Sequence, residues 1–184
     1  MKYGSRAAAL GGACTILCGC ALLPQNGVDS TSGLAQGDTP VTTLAISANP
    51  VLSPDAPPVS GPNAPDPAAI QRFAADFART FSAGFPAPLS EHGVQPHDPG
   101  YRVPLLRVGT AAYRRHCEEA DDCRTEVRID GSLLDGSGAE VWSFRDWLEL
   151  GDMDALGYKR FYKALLFEMT RDQAIPAGGR SGAS

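Results

Sequence analysis

The sequence is short of positive charge, and the shortage is uneven along the chain. It has 16 Lys and Arg residues against 21 Asp and Glu residues, so its formal net charge at pH 7 is -5. No Lys or Arg occurs between Arg6 and Arg72, where Gly, Ser, Pro and Ala are frequent. An acidic chain lacks the positive field that holds nucleic acid. The composition therefore argues against nucleic acid as a partner and places the folded part mostly C-terminal to this interval.

The sequence also lacks the common motifs of catalysis and cofactor binding. It contains no phosphate-binding glycine loop, no zinc signature and no nucleophile elbow. Ser90 and His92 lie in a proline-rich loop, which does not supply the rigid element that a catalytic triad needs, and His97 is expected at the surface. Asp130 and Asp135 are explained by solvation and by turn formation. We therefore predict no catalytic residue, no cofactor and no metal site.

The apolar run near the N-terminus is too short to span a membrane. It covers the eleven residues Ala7 to Leu17 and follows the basic residues Lys2 and Arg6. A transmembrane helix needs about 20 predominantly apolar residues. A basic start followed by a short apolar run is typical of a secretory signal peptide.

Residues 17–20, with the sequence LCGC, resemble the bacterial lipobox, in which Leu, a small residue and Gly precede a lipid-modified Cys. The resemblance implies that residues 1–19 are a type II signal peptide and that Cys20 becomes the first residue of the mature protein. Its thiol would carry a diacylglyceryl group and its new amino terminus an acyl chain such as palmitate. Two or more such chains hold a protein stably at a membrane.

Two alternatives to lipidation at Cys20 remain open. Cys14 could be the modified residue, although Gly11 stands where a lipobox has a larger aliphatic side chain. The segment could also be an ordinary signal peptide that is cut near Ala21. In lipoproteins of this kind, Asp directly after the modified Cys commonly retains the protein at the inner membrane. Since Ala21 stands there, the resemblance implies the outer membrane, with the domain facing the periplasm, and inner-membrane retention as the alternative.

Removal of the signal peptide and lipidation of Cys20 leave two cysteines, Cys117 and Cys123. A pair of cysteines in an exported protein can oxidise, and the acidic segment between them is typical of a connecting loop. We therefore predict a disulfide that stabilises the fold by about 2 kcal/mol. A metal site is the alternative, but it needs two further ligands, and only His116 is nearby.

The chain divides into a tether and a domain. Residues 20–65 are rich in Pro, Gly and Ser, and we predict a lipid-anchored tether. Residues 41–47, VTTLAIS, are rich in β-branched and apolar side chains, so they either belong to the tether or contribute a strand to the domain. Residues 66–175 are predicted to form the periplasmic domain, and residues 176–184 a disordered tail.

The domain shows helical and strand patterns in turn. A helix is predicted from Asp66 and Pro67, since Asp is a good N-cap and Pro suits the first helical position. Strands are predicted over residues 101–115, 124–135 and 139–150, and a final helix follows Asp154. The two helices present apolar faces, formed by Ile70, Phe73, Phe77 and Phe81 in the first and by Tyr158, Phe161, Tyr162, Leu165 and Met169 in the second. We expect an α+β fold in which two helices cover one face of a small antiparallel sheet of three to four strands.

The strand-turn-strand segment VRIDGSLLDGSGAEVWSF and the helix YKRFYKALLFEMTRD are similar to small outer-membrane lipoproteins of the strand-helix-meander-helix type. That group includes penicillin-binding-protein activators and auxiliary lipoproteins of ABC-type transport systems. The resemblance implies a non-catalytic binding or auxiliary subunit with an envelope protein as its partner. It implies no site residues, because no position matches a site motif.

Trp142, Phe144 and Trp147 form the candidate partner surface, unless they pack inward under the helices. The alternative function is a periplasmic hydrolase or an enzyme inhibitor.

Overall fold

The structure, a computed structural model, describes residues 28–34, 38–50, 66–99, 102–117 and 123–178. These residues form six strands, two long helices and one short helix. The elements are β1 (Asp29–Ser32), β2 (Thr43–Asn49), α1 (Pro67–Gly84), α2 (Pro86–Glu91), β3 (Gln95–His97), β4 (Leu105–Cys117), β5 (Cys123–Leu134), β6 (Glu140–Glu149) and α3 (Ala155–Arg171). The predicted signal peptide (residues 1–19), the predicted lipidation site Cys20 and residues 179–184 of the predicted tail lie outside the described residues.

The six strands form one mixed sheet in the order β1-β6-β5-β4-β2-β3. β4, β5 and β6 pair antiparallel, and β1 adds antiparallel to β6. β2 runs parallel to both β3 and β4. Parallel neighbours need a long crossover connection, and the segment that contains α1 and α2 supplies it.

The broad α+β class agrees with the sequence, but the predicted sheet of three to four antiparallel strands is wrong. The extra strands are short or lie outside the predicted domain. β1 has the polar sequence DSTS and β3 the sequence QPH, and neither shows an apolar alternation. Short polar strands of this kind are suited to the edges of a sheet. Backbone pairing of β1 with β6 and of β3 with β2 holds them in this sheet.

The structure places β1 and β2 inside the segment that was predicted to be a tether. Leu44, Ala45 and Ile46 of β2 are buried, because β2 lies between β3 and β4 in the sheet. Val28, just before β1, is also part of the core. The folded domain therefore begins no later than Val28, before the start predicted at residue 66. Of the two alternatives for residues 41–47, the structure shows the strand, as β2. Residues 51–65 lie outside the described part.

The two long helices begin as the sequence predicts. The Asp66 side chain accepts a hydrogen bond from Ala68 N at 2.9 Å, and Pro67 is the first residue of α1. The Asp154 side chain accepts hydrogen bonds from Leu156 N at 2.9 Å and from Gly157 N at 2.8 Å. Both carboxylates thus satisfy backbone N–H groups that have no partner inside the helix.

An aromatic core joins the two helices to the sheet. The rings of Phe77 and Phe161 contact edge to face, with centroids 5.9 Å apart. Phe161 also contacts Phe144 of β6, at 6.1 Å. Gly131 of β5 makes room for that ring, since a Cβ atom at residue 131 would overlap Phe144. Both α1 and α3 therefore lie on one face of the sheet.

Side-chain hydrogen bonds fasten β1 to the end of α3. Ser30 Oγ donates to Asp172 Oδ2 at 2.6 Å, and Trp142 Nε1 donates to the same oxygen at 2.9 Å. Arg171 Nε donates to Asp172 Oδ1 at 3.0 Å. Burial alone would raise the pKa of Asp172, but the hydrogen bonds from Ser30, Trp142 and Arg171 outweigh it and lower the pKa.

The hairpin between β4 and β5 carries the two cysteines. Cys117 and Cys123 are directly opposite in the antiparallel register, and Cys123 is disulfide-bonded. The residues between them, 118–122, lie outside the described part. The register matches the predicted pairing of Cys123 with Cys117, which stays a prediction.

Candidate binding surface

The face of the sheet turned away from the helices is polar and uncovered by any helix of the described chain. We call it the open face and define it by seven of the outward side chains of β4, β5 and β6: Arg114, Glu126, Arg128, Asp130, Arg145, Trp147 and Glu149. These residues alternate with the buried residues Val127, Ile129, Leu133, Trp142 and Phe144. The alternation is that of a sheet with one side in the core and the other in water.

The three aromatic residues predicted as a partner surface do not lie together. Trp142 and Phe144 are buried in the core, whereas Trp147 lies on the open face. Successive residues of a strand point to opposite faces, so positions 142 and 144 share one face and position 147 takes the other. Trp142 and Phe144 therefore pack inward under the helices, which was the alternative to a partner surface. Of the three residues, Trp147 is the one available to a partner.

Two arginines hold the Trp147 ring. The guanidinium carbon of Arg114 lies 4.1 Å from the ring centroid, and that of Arg128 lies 6.0 Å from it. Arg128 is opposite Trp147 in the register of β5 and β6, and Arg114 belongs to β4. A cation over a tryptophan face contributes about 0.5–1 kcal/mol at an exposed site. The ring is therefore fixed in place while remaining only half-buried.

Ion pairs run across the open face around Trp147. Arg114 pairs with Glu126 at 2.6 Å, and Asp130 pairs with Arg128 at 3.1 Å and with Arg145 at 3.4 Å. Exposed pairs of this kind each stabilise a fold by only about 0–1 kcal/mol. Their main effect here is to restrict the conformations of the long charged side chains, because each of these side chains pairs with at least one neighbour. Together they present a rigid tryptophan within a patch of both charges.

Arg114 and Arg128 were missed by the sequence analysis. Their distance from Trp147 along the chain hides the contact, which arises only through the register of three strands. For Arg128 a signal was available, because the alternation of β5 puts residue 128 on the outward face and the turn at residues 135–138 sets its register with β6. No comparable signal existed for Arg114, since β4 contains a bulge between Thr110 and Ala112.

Asp146 is a buried carboxylate next to Trp147 in the chain. It is 8% exposed and accepts a hydrogen bond from Trp147 N at 2.8 Å. Burial, reinforced by the negative charges of Asp29 and Glu126, raises its pKa to about 6 despite that hydrogen bond. Asp146 lines a cavity of about 210 Å³ between the end of β6 and α3, which Asp152 and Arg160 also line.

The other polar residues considered in the sequence have local structural partners. Ser90 Oγ donates to the carbonyl of Pro86 at 2.9 Å, and His92 Nδ1 lies 3.1 Å from the carbonyl of Pro88, so the two side chains do not form a catalytic pair. Asp135 accepts hydrogen bonds from Ser137 and Ala139 within its own turn. The same hydrogen bonds lower the pKa of Asp135.

The described residues contain neither a metal site nor a membrane-spanning helix. No group of three or more His, Cys, Asp and Glu side chains is placed to hold a metal ion there. No helix in these ranges combines the length and apolar character needed to cross a bilayer.

Comparison with known proteins gives no family. No protein-family model and no curated protein matches the chain. Among solved structures, the chain is similar to a point variant of the PelC dodecamer from Paraburkholderia phytofirmans, with 16% identity and a TM-score of 0.36, over 80% of this chain and 98% of that one. A second crystal form of the PelC dodecamer from the same organism gives 16% identity and a TM-score of 0.34, over 80% and 96% of the two chains.

Proposed function

We propose that this protein is a lipid-anchored lipoprotein of the outer membrane whose periplasmic domain is a non-catalytic binding subunit of an envelope complex. The anchor is Cys20, on the strength of the LCGC sequence at residues 17–20. The binding surface is the open face. The observation that carries this choice is Trp147, whose ring lies near the guanidinium groups of Arg114 and Arg128 on the side of the sheet that no described helix covers.

The composition of the open face fits a folded protein partner. Tryptophan and arginine are the side chains most enriched among the residues that dominate binding energy at protein interfaces. Here they are already ordered before a partner arrives, so less side-chain entropy is lost on binding. The interspersed positive and negative charges favour a partner with a complementary pattern over a uniformly charged polymer.

One observation favours the alternative function, a periplasmic hydrolase. A buried carboxylate with a raised pKa beside a cavity is a common feature of active sites, and Asp146 has both properties. The cavity of about 210 Å³ is smaller than the roughly 300–1,000 Å³ usual for small-molecule sites. The hydrogen bond to the Asp146 carboxylate comes from the backbone N–H of Trp147, which orders the carboxylate without making it a catalytic pair. We therefore keep enzymatic activity as the second candidate.

The test of the binding surface is photo-crosslinking in intact cells. A photoreactive amino acid placed at position 145, beside Trp147 on the open face, should give one dominant adduct with another envelope protein. The same amino acid at position 79, on the exposed side of α1, should not give that adduct. Adding Trp147→Ala should weaken binding by about thirtyfold or more and reduce the adduct accordingly, because such an anchor contributes about 2 kcal/mol or more to binding.

Two outcomes would contradict the proposal. One is equal labelling from positions 145 and 79, and the other is an adduct that Trp147→Ala leaves unchanged. Because Trp147 is only half-buried, the variant is expected to remain folded, and a urea unfolding curve of the purified protein checks this. If the protein is folded but position 145 gives no crosslink, the binding surface lies elsewhere on the domain.

A further inference from the structure

A groove between α2 and α3 lies apart from the open face. Its volume is about 650 Å³, within the roughly 300–1,000 Å³ usual for small-molecule sites. Its lining is mainly apolar and includes Pro88, Tyr158, Tyr162, Leu166 and Phe167. Phe167 is 64% exposed, which is unusual in a chain whose other phenylalanines on α1 and α3 are mostly buried. We call this feature the α2–α3 groove.

The groove has a cationic side. The chain contains three lysines, Lys2, Lys159 and Lys163, and two of them line the groove. Residues four apart on a helix are neighbours on one face, so the two ammonium groups act on the same part of the groove. Neither forms an ion pair with any carboxylate of the described chain, although the protein as a whole carries a net charge of -5. Glu91 is the single carboxylate among the lining residues.

An apolar groove beside two ammonium groups that form no ion pair within the described ranges matches a molecule with a long apolar body and one anionic end. We propose that the α2–α3 groove binds a long-chain fatty acid, with the acyl chain against Tyr158, Leu166 and Phe167 and the carboxylate at Lys159 and Lys163. The groove is lined by α3 from Ala155 to Thr170, a length of about 22 Å at 1.5 Å per residue. That length accommodates an extended acyl chain.

The two lysines distinguish this occupant from other apolar ones. Lys159 and Lys163 are both exposed. An acyl chain attached to the N-terminus of the protein is an uncharged amide, so it gains no charge interaction with them. A free fatty acid adds a carboxylate that accepts hydrogen bonds from the ammonium groups, and such charge-assisted hydrogen bonds are stronger than neutral ones. The proposal does not depend on the lipid anchor or on the open face.

The experiment measures displacement of cis-parinarate, a fluorescent fatty acid, from the full-length chain carrying Cys20→Ala, so that no attached lipid competes. Palmitate should displace the probe. Methyl palmitate, which has the same chain without the charge, should be weaker by about fivefold. Acetate, which has the charge without the chain, should have no effect. Equal displacement by palmitate and methyl palmitate would overturn the proposal, since a neutral chain would then be the preferred occupant.

A pair of variants tests the position of the site. The double variant Lys159→Met, Lys163→Met should weaken palmitate binding by about fivefold and reduce its dependence on ionic strength. Arg160→Met is the matched control, because Arg160 is a neighbouring cation on α3 that lines the other cavity, and it should leave binding unchanged. Equal losses in both variants would overturn the proposal. A second result would also overturn the proposal. If palmitate does not bind and the protein is a dimer that Phe167→Ala dissociates, a second copy of the chain covers the groove.

Discussion

Replacing Phe77 with alanine should lower the free energy of unfolding by about 3–5 kcal/mol. Phe77 is fully buried, and its ring contacts those of Phe73, Phe81, Tyr158 and Phe161. Removal of the ring loses its burial and leaves a cavity at the junction of α1 and α3, where the surrounding rings can fill it only in part. Urea unfolding of the purified protein, followed by circular dichroism, measures the loss.

Phe167→Ala is the matched control for that measurement. It removes the same side chain from α3, but Phe167 is 64% exposed, so the unfolding free energy should change by no more than about 0.5 kcal/mol. Equal losses in the two variants would contradict the assignment of Phe77 to the core. A loss of less than about 1 kcal/mol at Phe77 would contradict it as well.

Asp146→Asn should stabilise the protein at pH 7 by about 2–3 kcal/mol, on the basis of 1.36 kcal/mol per pKa unit. Burial raises the pKa of Asp146 from 3.8 to about 6, so the folded state binds the proton more tightly than the unfolded state. Above pH 6 the folded protein must hold a poorly solvated charge, which reduces its stability. As the pH falls from 6 towards 4, the carboxyl becomes protonated in the folded state first, and the cost disappears.

The wild-type protein should therefore become more stable between pH 7 and pH 4 through this group, and the advantage of the asparagine variant should vanish near pH 4. The charged groups around the Asp146 carboxyl are Asp29 of β1, Glu126 of β5, and the cavity residues Asp152 and Arg160. Unfolding free energies at a series of pH values measure the difference between the two proteins. A difference that is independent of pH would contradict the assignment to Asp146.

Asp172→Asn is a control in which the unfolding free energy at pH 7 should change in the opposite direction. Hydrogen bonds from Ser30, Trp142 and Arg171 outweigh burial and lower the pKa of Asp172, so its charged form stabilises the fold. The variant should destabilise the protein at pH 7, and the loss should shrink as the pH falls below the unfolded-state value of 3.8. Parallel behaviour of the two asparagine variants would mean that neither pH dependence comes from its local environment.

The sequence predicted those elements whose own side chains carry the signal. Asp66 and Asp154 mark the starts of the two long helices, and Phe77 and Phe81 mark a buried face at helical spacing. The alternation of residues 124–135 predicts β5 with its correct buried side. In each case the local pattern and the tertiary environment agree, because the apolar face is the face that the fold buries.

The remaining strands could not be predicted in the same way. β1 is polar, and its place in the sheet depends on pairing with β6 and on the contact of Ser30 with Asp172. That contact joins residues 142 positions apart, and no local pattern encodes it. β2 was left as one of two alternatives because a short apolar stretch beside proline-rich sequence fits either a strand or a tether.

The candidate surface was predicted in part for a related reason. Trp142, Phe144 and Trp147 are close in sequence, but strand geometry sends the last of them to the opposite face from the first two. Applying the two-residue period of a strand to β6 separates these residues without any structure. The stacking of Arg114 on Trp147 lies beyond that reasoning, since it requires the register of β4 across β5.

The central claim, a lipid-anchored binding subunit, is tested most directly by the mass of the mature protein purified from membranes. Intact-mass spectrometry should give a chain that begins at Cys20 and carries a diacylglyceryl group and an acyl chain. The Cys20→Ala variant should keep residues 1–19 and should no longer carry lipid. A mature protein that begins at Ala21 or a later residue without added lipid would contradict the claim, as would a Cys20→Ala chain that matures and partitions into membranes like the wild type.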